Sequence, residues 1–216
     1  MIISIDGPAG SGKSTIAEIL SQKLGFIHFN SGSLYRGITA HILNSNLDLN
    51  ANSIPNLKLK TSYQGGKQYV FVNNIDYTPL LRDNEVSIAT PAISQFPKIR
   101  KIVDACQRKF AKTHNVVIDG RDIGSYVFPN AEFKFYLDCD IHERAKRRFE
   151  EEKLKNKKIT IKEIEKQILE RDEIDKNKKV APLVVPENAI IIDSTNISID
   201  EVVNQILSII KKAKKI

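Results

Sequence analysis

Near its N-terminus the chain reads Gly7-Pro-Ala-Gly-Ser-Gly-Lys13-Ser14, which has the G-x-x-x-x-G-K-[ST] spacing of a phosphate-binding loop. The apolar run Met1–Ile5 before the loop is typical of a buried parallel strand. After the loop, apolar residues from Ile16 to Leu24 share one helical face, and Gly25 ends that pattern. The motif requires this order of strand, loop and helix, so the sequence predicts that a nucleoside triphosphate binds here.

The residue types in the loop suit the binding of phosphate groups. Glycines let the backbone pass close to phosphates with its N–H groups turned inward, and the following helix presents its positive end to the same anion. The Lys13 ammonium supplies a point charge at the β- and γ-phosphates, and the Ser14 hydroxyl is placed to ligate Mg²⁺. The residues predicted to contact the triphosphate are Gly7, Pro8, Ala9, Gly10, Ser11, Gly12, Lys13, Ser14 and Thr15. The loop does not identify the acceptor, since GTPases, motor ATPases, helicases and small-molecule kinases share it.

Short apolar runs that could be buried strands recur along the chain. They are Phe26–Phe29, Val116–Ile118, Phe133–Leu137 and Ile190–Ile192. Helical patterns lie between them, and some begin with capping-box spacing. The capping pairs are Asp140 with Glu143, Thr160 with Glu163, and Ser198 with Glu201. Strands alternating with helices predict an α/β fold, in which a parallel sheet is flanked by helices.

One region breaks this alternation. From Leu57 to Tyr77 the apolar residues alternate around a Gly65-Gly66 turn, which predicts a small antiparallel hairpin or three-stranded insert. Two helical patterns follow, at Arg82–Ala92 and Pro97–Lys112. We therefore expect these segments to form a subdomain attached to the α/β core.

The length predicts a single domain over 1–216, because 216 residues can bury one substantial core. Within it we expect a core of 1–30 and 113–216 and a subdomain of 31–112 with its β insert near 57–77. The hydrophobic content of 41% and the charged content of 27% are ordinary for a globular protein and argue against wholesale disorder.

A net charge of +7 points to an anionic partner, and nucleic acid, a membrane surface and nucleotide phosphates all qualify. Cys106, Cys139 and the scattered histidines have no metal-ligand spacing. No run approaches the roughly 20 apolar residues of a membrane span. Met1–Ile5 has no basic region before it, unlike a signal peptide, so we expect a cytoplasmic protein.

The second half of the chain has arginines at helical spacing. The clusters are Arg144, Arg147 and Arg148 on one predicted face, Arg171, Asp175 and Lys178 on another, and Arg121 with Asp122 directly after a predicted strand. Each cluster alone is more often a surface ion-pair face. Beside a phosphate-binding loop, however, arginine forks suit the oxygens of a transferring phosphoryl group.

These cations also indicate the kind of acceptor. A kinase acting on a hydroxyl usually positions a carboxylate to take the proton, whereas an acceptor that is already a phosphate needs no base. It needs cations that bring two phosphorylated molecules together and hold them in line. The predicted site therefore suits a phosphate acceptor.

Four blocks of the chain resemble those of bacterial cytidylate kinases, in order and with matching spacing from residue 2 to about 210. They are Ile5-Asp-Gly-Pro-Ala-Gly-Ser-Gly-Lys-Ser-Thr15, Asn30-Ser-Gly-Ser-Leu-Tyr-Arg36, Asp119-Gly-Arg-Asp-Ile-Gly124 and Arg171-Asp-x-x-Asp175-x-x-Lys178-x-x-Ala-Pro-Leu183. The resemblance implies a nucleoside-monophosphate kinase that makes CDP or dCDP from CMP or dCMP with ATP and Mg²⁺. It also implies a short lid near 149–160. We further expect small nucleotides as partners, without nucleic acid or membrane, and a monomer.

The resemblance also implies roles for individual residues. Arg36, Arg121 and Lys178 would grip the acceptor phosphate, and Arg100 with Asp122 would read the cytosine edge. Arg171 and Asp175 would hold the sugar. Ser31, Tyr35 and Gly120 complete the acceptor site. The face formed by Arg144, Arg147 and Arg148 would close on ATP at the base of the lid. The catalytic residues would be Lys13, Arg121 and Arg171.

The chain departs from the family pattern at a few positions. Position 178 is Lys where Arg is usual, which replaces a two-pronged grip by a point charge. Asn30 stands where Asp is usual, and Pro91 where a serine near the base and pentose is expected. The Pro91 difference leaves the preference between CMP and dCMP open.

Two alternative functions remain at this point. One is a monophosphate kinase with another base preference, for UMP or AMP. The other is a nucleic-acid-binding P-loop ATPase, which only the net charge of +7 suggests. It would bind RNA or DNA with a steep salt dependence, but the sequence has no interleaved aromatic stacking motif.

Overall fold

The computed structural model describes residues 1–45, 56–153 and 159–213, and contains two sheets. The strands are β1 (Ile2–Asp6), β2 (Ile27–Asn30), β3 (Leu59–Gln64), β4 (Lys67–Val72), β5 (Ile75–Asp76), β6 (Val116–Asp119), β7 (Phe133–Asp138) and β8 (Ile190–Asp193). The main sheet has the order β2-β6-β1-β7-β8 and its neighbouring strands are parallel. The predicted α/β fold with a parallel sheet is confirmed.

Helices connect and flank these strands. They are α1 (Lys13–Leu24), α2 (Ser31–Asn44), α3 (Asn84–Ile93), α4 (Pro97–Ala111), α5 (Ile141–Lys153), α6 (Ile161–Lys176) and α7 (Ile199–Ala213), with a π-helical turn at Ile123–Val127 and a short 3₁₀ helix at Thr78–Leu80. Helix α2 was not predicted from the sequence. None of the helices in the described ranges is long and apolar enough to cross a membrane.

Apolar side chains fill both faces of the main sheet. On one face, α1 and α7 bury Leu20 and Ile206 against the sheet. On the other face, Phe29 and Ile118 pack with Ile38 of α2. Each such side chain contributes about 1.5–3 kcal/mol on burial. Because both faces are covered, the strands consist largely of apolar residues rather than alternating ones.

The predicted antiparallel insert is confirmed; of the two forms expected, it takes the three-stranded one, with strand order β3-β4-β5. Its turns, Gly65-Gly66 and Asn73-Asn74, each have two central residues with positive φ, as type I′ hairpins require. The insert packs on α2 so closely that a Cβ at Gly37 would lie 2.4 Å from Val70 Cγ1. The insert therefore fixes α2, which begins at the edge of the main sheet.

Hydrogen bonds at the helix starts match the predicted capping pairs. Thr160 and Glu163 bond reciprocally at α6, and Ser198 and Glu201 do so at α7. At α5 the Asp140 carboxylate accepts from the backbone N–H of Glu143.

The carboxyl ends of β1, β2 and β6 meet at one edge of the main sheet. Asn30, the last residue of β2, is the register partner of Asp119, the last of β6. Asp119 is in turn the register partner of Ile5 in β1, the strand that leads into the phosphate-binding loop. Parallel sheets bind ligands at this edge, and the elements of the candidate site meet there.

Candidate active site

The phosphate-binding loop occupies the turn between β1 and α1. Its backbone has positive φ at Gly10 (76°) and Gly12 (87°), a region that L side chains rarely adopt. At Gly7 the constraint is also steric, because a Cβ there would lie 2.2 Å from the carbonyl oxygen of Leu137. The loop thus needs glycine both for its shape and for its close approach to β7.

Lys13 is folded against the loop. Its ammonium donates to Pro8 O (2.5 Å) and Ser11 Oγ (3.1 Å), and the residue is 5% exposed. Burial, with Arg121 nearby, lowers the pKa of Lys13 well below its usual range. A phosphate brought to this position would stabilise the charged form of the lysine.

The buried ion pair between Arg144 and Asp172 holds the phosphate-binding loop through hydrogen bonds to Ala9. The Asp172 carboxylate accepts from Ala9 N (2.9 Å), and Arg144 Nη1 donates to Ala9 O (2.9 Å) and to Asp172 Oδ2 (2.5 Å). Arg144 also donates from Nε to Cys139 O. Arg144, predicted as an ATP contact, thus lies beneath the loop with its guanidinium bonded to protein groups.

The other two arginines of α5 lie differently. Arg147 donates to Ser194 O (2.6 Å) and pairs with Glu143, one helical turn earlier. Arg148 is half-buried and acts electrostatically on Arg171. Their predicted contacts with ATP stay predictions. The predicted lid near 149–160 includes 154–158, which lie outside the described residues.

Ser14 and Asp119 meet beside the loop. Ser14 Oγ donates to Asp119 Oδ2 (2.6 Å), and Asp119 also receives hydrogen bonds from His28 Nε2 (2.8 Å) and the Asn30 amide. Burial acts to raise the pKa of Asp119, but the hydrogen bonds and the Lys13 charge outweigh it and hold that pKa below its usual range. Asp119 is therefore a fixed negative charge next to the Ser14 hydroxyl.

The Ser14–Asp119 pair has the chemistry of a small magnesium site. Mg²⁺ prefers oxygen ligands and is typically held by one or two carboxylates together with substrate phosphates. Among the described residues no group of three or more His, Cys, Asp or Glu side chains could hold a metal by itself. The hydroxyl and the carboxylate fit a metal whose other ligands come from a nucleotide and water.

A cleft with a volume of about 190 Å³ opens from Ser14. Its lining residues are Ser14, Asn30, Ser31, Gly32, Tyr35, Arg36, Thr90, Ser94, Arg100, Asp119, Gly120, Arg121, Asp122, Arg171 and Lys178. The structure thus brings together every predicted acceptor-site residue except Asp175, although these residues lie far apart in the sequence.

Asp175 lies buried behind the cleft wall, where it joins three cations. Arg121 Nε (3.0 Å) and Arg171 Nε (3.2 Å) pair with its Oδ2, and Lys178 Nζ (2.6 Å) pairs with its Oδ1. Burial acts to raise the pKa of Asp175, but these cations outweigh it and hold that pKa far below its usual range. In this arrangement Asp175 orients the cleft cations, and its predicted contact with the sugar stays a prediction.

Arg36 is a further cation of the cleft. It donates from Nη2 to Asn30 Oδ1 (2.9 Å) and to Ser33 Oγ (3.2 Å). Burial and the nearby charges of Arg171 and Arg121 lower its pKa, although Asp119 acts in the opposite direction. Bringing these cations together costs electrostatic free energy, and an anionic ligand such as a phosphate would relieve their repulsion.

The far end of the cleft holds a buried Arg100–Asp122 ion pair. The guanidinium also lies over the rings of Tyr35 (5.8 Å) and Tyr126 (5.5 Å). Burial raises the pKa of Asp122 even though Arg100 opposes that shift. The pair offers a donor and an acceptor side by side, as the edge of a nucleobase requires.

Asp6 supports this end of the cleft from within the sheet. Its carboxylate oxygens accept from the backbone N–H groups of Ile123 and Gly124, both at 2.7 Å, and so hold the π-helical turn that follows Asp122. Burial raises the pKa of Asp6 to about 7. Gly120 must be small here, because a Cβ would lie 2.5 Å from Ile123.

Several residues of the site had no predicted role. They are Asp119, His28, Asn30, Thr90, Ser94 and Asp172. Thr90 and Ser94, on either side of Pro91, line the cleft and bring hydroxyl groups to it, whereas Pro91 is not among the lining residues. Two of these residues could have been identified from the sequence by their position, because Asn30 and Asp119 are polar residues at the carboxyl ends of predicted strands.

Comparison with known proteins agrees with this geometry. The family model described as cytidylate kinase matches residues 3–212. A cytidylate kinase of Caldanaerobacter subterraneus subsp. tengcongensis is 40% identical over 99% of this chain and 96% of its own length. That of Oceanobacillus iheyensis is 42% identical over 97% of this chain and 94% of its own length.

Solved structures with lower identity share the fold. A shikimate kinase from Acinetobacter baumannii aligns with a TM-score of 0.50 at 15% identity, covering 99% of this chain and 94% of its own. The protein TT1252 from Thermus thermophilus aligns with a TM-score of 0.51 at 16% identity, over 99% and 97% of the two chains. At such identities the likeness concerns the fold alone.

Proposed function

Because the chain belongs to the cytidylate kinase family, we propose that it transfers the γ-phosphoryl group of ATP to CMP or dCMP. The observation that carries this proposal is the cleft itself. It starts at Ser14 of the phosphate-binding loop, is lined by cations, and ends at the buried Arg100–Asp122 pair. A nucleoside monophosphate has the matching order of groups, with a phosphate at one end and a base at the other.

The chain's own residues would catalyse transfer by positioning and charge. The loop N–H groups and Lys13 would hold the donor phosphates, while Arg36, Arg121 and Lys178 would hold the acceptor phosphate. Arg171, paired with the same carboxylate as Arg121, would face the transferring group. No general base is required, because the attacking phosphate oxygen is already anionic.

Magnesium belongs to this proposal as a partner of ATP. The Ser14 hydroxyl and the Asp119 carboxylate would hold it. When bound, the metal neutralises charge on the donor phosphates. His28 and the Asn30 amide would keep the Asp119 carboxylate oriented toward Ser14.

Base selection would come from Asp122 and Arg100. The Asp122 carboxylate can accept from the exocyclic amine of cytosine, which uracil lacks. The Arg100 guanidinium can donate to the neighbouring ring acceptors of the base. We keep both CMP and dCMP as substrates, with the Thr90 and Ser94 hydroxyls near this end of the cleft as candidates for sensing the sugar.

The enzyme would act as a monomer in the cytoplasm. A lid near 149–160 would close over the donor and limit transfer to water. Small nucleotides are the enzyme's proposed partners.

An acceptor panel tests the proposal directly. With ATP and Mg²⁺ in a coupled assay, we expect kcat/KM for CMP or dCMP to exceed that for UMP and AMP by about 10²-fold, since an unpaired buried polar group opposes the wrong base. A higher value for UMP or AMP would favour another base preference. Binding of RNA with a steep salt dependence and without monophosphate turnover would favour the nucleic-acid alternative.

A further inference from the structure

Asn30 contacts both the donor side and the acceptor side of the cleft. It is the last residue of β2 and the N-cap of α2, so it stands where the main sheet joins the acceptor subdomain. Gln68 Oε1 in the insert accepts from its backbone N–H (2.9 Å), which anchors it from a third direction.

The two ends of the Asn30 amide bond to opposite charges. Nδ2 donates to both carboxylate oxygens of Asp119, each at 3.1 Å, and lies 3.3 Å from Ser14 Oγ. Oδ1 accepts from Arg36 Nη2 at 2.9 Å. A single side chain thus joins the proposed magnesium ligands to an arginine proposed to hold the acceptor phosphate.

Helix capping does not account for this arrangement. Oδ1 also accepts from Ser33 N (2.9 Å), the usual N-cap bond, but serine or aspartate could make that bond equally well. Aspartate has no hydrogen to donate to Asp119, and the serine hydroxyl is too short to reach both neighbours. Among these good N-cap residues, asparagine supplies both the donor and the acceptor that the site uses.

We propose that Asn30 is a positioning residue that fixes Arg36 relative to the Ser14–Asp119 pair, so that the acceptor phosphate lies in line with the transferring phosphoryl group. This inference rests on the proposed function and adds a residue to it. Its role lies in turnover rather than in affinity, because other cations of the cleft remain to bind the acceptor. A misplacement of about 1 Å can cost about 10²-fold in rate.

The test compares Asn30→Ser with the matched change Asn204→Ser on the exposed surface of α7. Serine keeps the N-cap of α2 but removes the link between Asp119 and Arg36. For Asn30→Ser we expect kcat to fall by about 10- to 100-fold, with an unchanged melting temperature. We expect the Kd of the acceptor, measured by calorimetry without divalent metal, to stay within about threefold of wild type. The Asn204→Ser variant should match wild type in all three measurements.

Some results would overturn the inference. A kcat within about threefold of wild type would show that the link is not needed. An acceptor Kd that weakens as much as kcat falls would make Asn30 part of binding instead. If Asn30→Ser does not fold, Asn30→Gly, which costs an N-cap only a few tenths of a kcal/mol, is measured against the same criteria.

The acceptor panel separates this inference from the proposed function. The Asn30 variants are assayed with whichever monophosphate the wild-type chain uses best. A wild-type preference for UMP or AMP would reject the proposed base selection, while the role of Asn30 would still be decided with that acceptor.

Discussion

The phosphate-binding loop and the cationic cleft beside it are both proposed to hold phosphate groups, yet they are built differently. The loop uses one short segment, and its backbone shape depends on glycines at positions 7, 10 and 12. The cleft uses side chains from α2, from the residues after β6, and from α6 and beyond, which Asp175 helps to orient. A local motif thus forms the proposed donor side, whereas the proposed acceptor side depends on the tertiary fold.

The largest effect should come from the loop. We expect Lys13→Ala to lower kcat by about 10³-fold or more, because it removes the point charge at the transferring phosphates. The exposed Lys23→Ala change on the same helix is the control and should leave kcat unchanged. A steady-state assay checks this, with circular dichroism to verify folding. Near-normal turnover of Lys13→Ala would contradict the assignment of the loop.

Asp175→Ala should destabilise the fold at the cleft. Removing this buried carboxylate leaves three cations without their shared partner, which we expect to cost about 3 kcal/mol in the free energy of unfolding. Urea unfolding measures this cost, and Glu170→Ala, at an exposed ion pair of the same helix, is the control.

The pH dependence follows from the depressed pKa of Asp175. A carboxyl group whose pKa is lower in the folded state stabilises the fold above the ordinary value of about 3.9, and this stabilisation is lost as the pH falls below that value. The stability difference between wild type and Asp175→Ala should therefore shrink below about pH 4. A difference that stays constant from pH 6 to pH 3 would show that the ion pairs do not contribute.

A smaller effect is expected for Asp122→Asn at the base end of the cleft. The amide can donate to the uracil carbonyl that the carboxylate repels, so the ratio of kcat/KM for CMP over UMP should fall by about tenfold. The acceptor panel measures this ratio, and the exposed Asp83→Asn should leave it unchanged. An unchanged ratio in Asp122→Asn would place base selection elsewhere.

The smallest effect should come from Lys178→Arg. A guanidinium would offer a planar fork where the ammonium offers a point charge, and we expect the Kd for CMP to fall by about twofold to fivefold. Calorimetry measures the change. Weaker binding would mean that the buried position beside Asp175 cannot accommodate the larger head group.

Local signals were sufficient for much of the fold. The loop, the strands of the main sheet and the Gly65-Gly66 turn could be predicted because each depends on residues adjacent in sequence. Helix α2 was missed, since Gly32 and Gly37 weaken its intrinsic propensity and packing against the insert stabilises it instead.

Helical spacing and a strand end indicated the cations of the proposed acceptor side, but the roles of its individual residues were predicted only through resemblance to a family. His28 and Asn30 come to Asp119 because β2 pairs with β6, and residues 31–115 separate those strands in the sequence. Spacing alone does not reveal such register. Likewise, the position of Asp175 between three cations was not visible from its place on a helical face.

The burial of Asp175 among its cations has a further consequence, for conformational entropy. Arginine and lysine side chains each have about 2 kcal/mol of rotamer entropy to lose when they are held still. Arg121, Arg171 and Lys178 are already bonded to this carboxylate, so much of that loss occurs when the chain folds. An acceptor phosphate then meets side chains whose freedom is already limited, and less of its binding free energy is spent on ordering them.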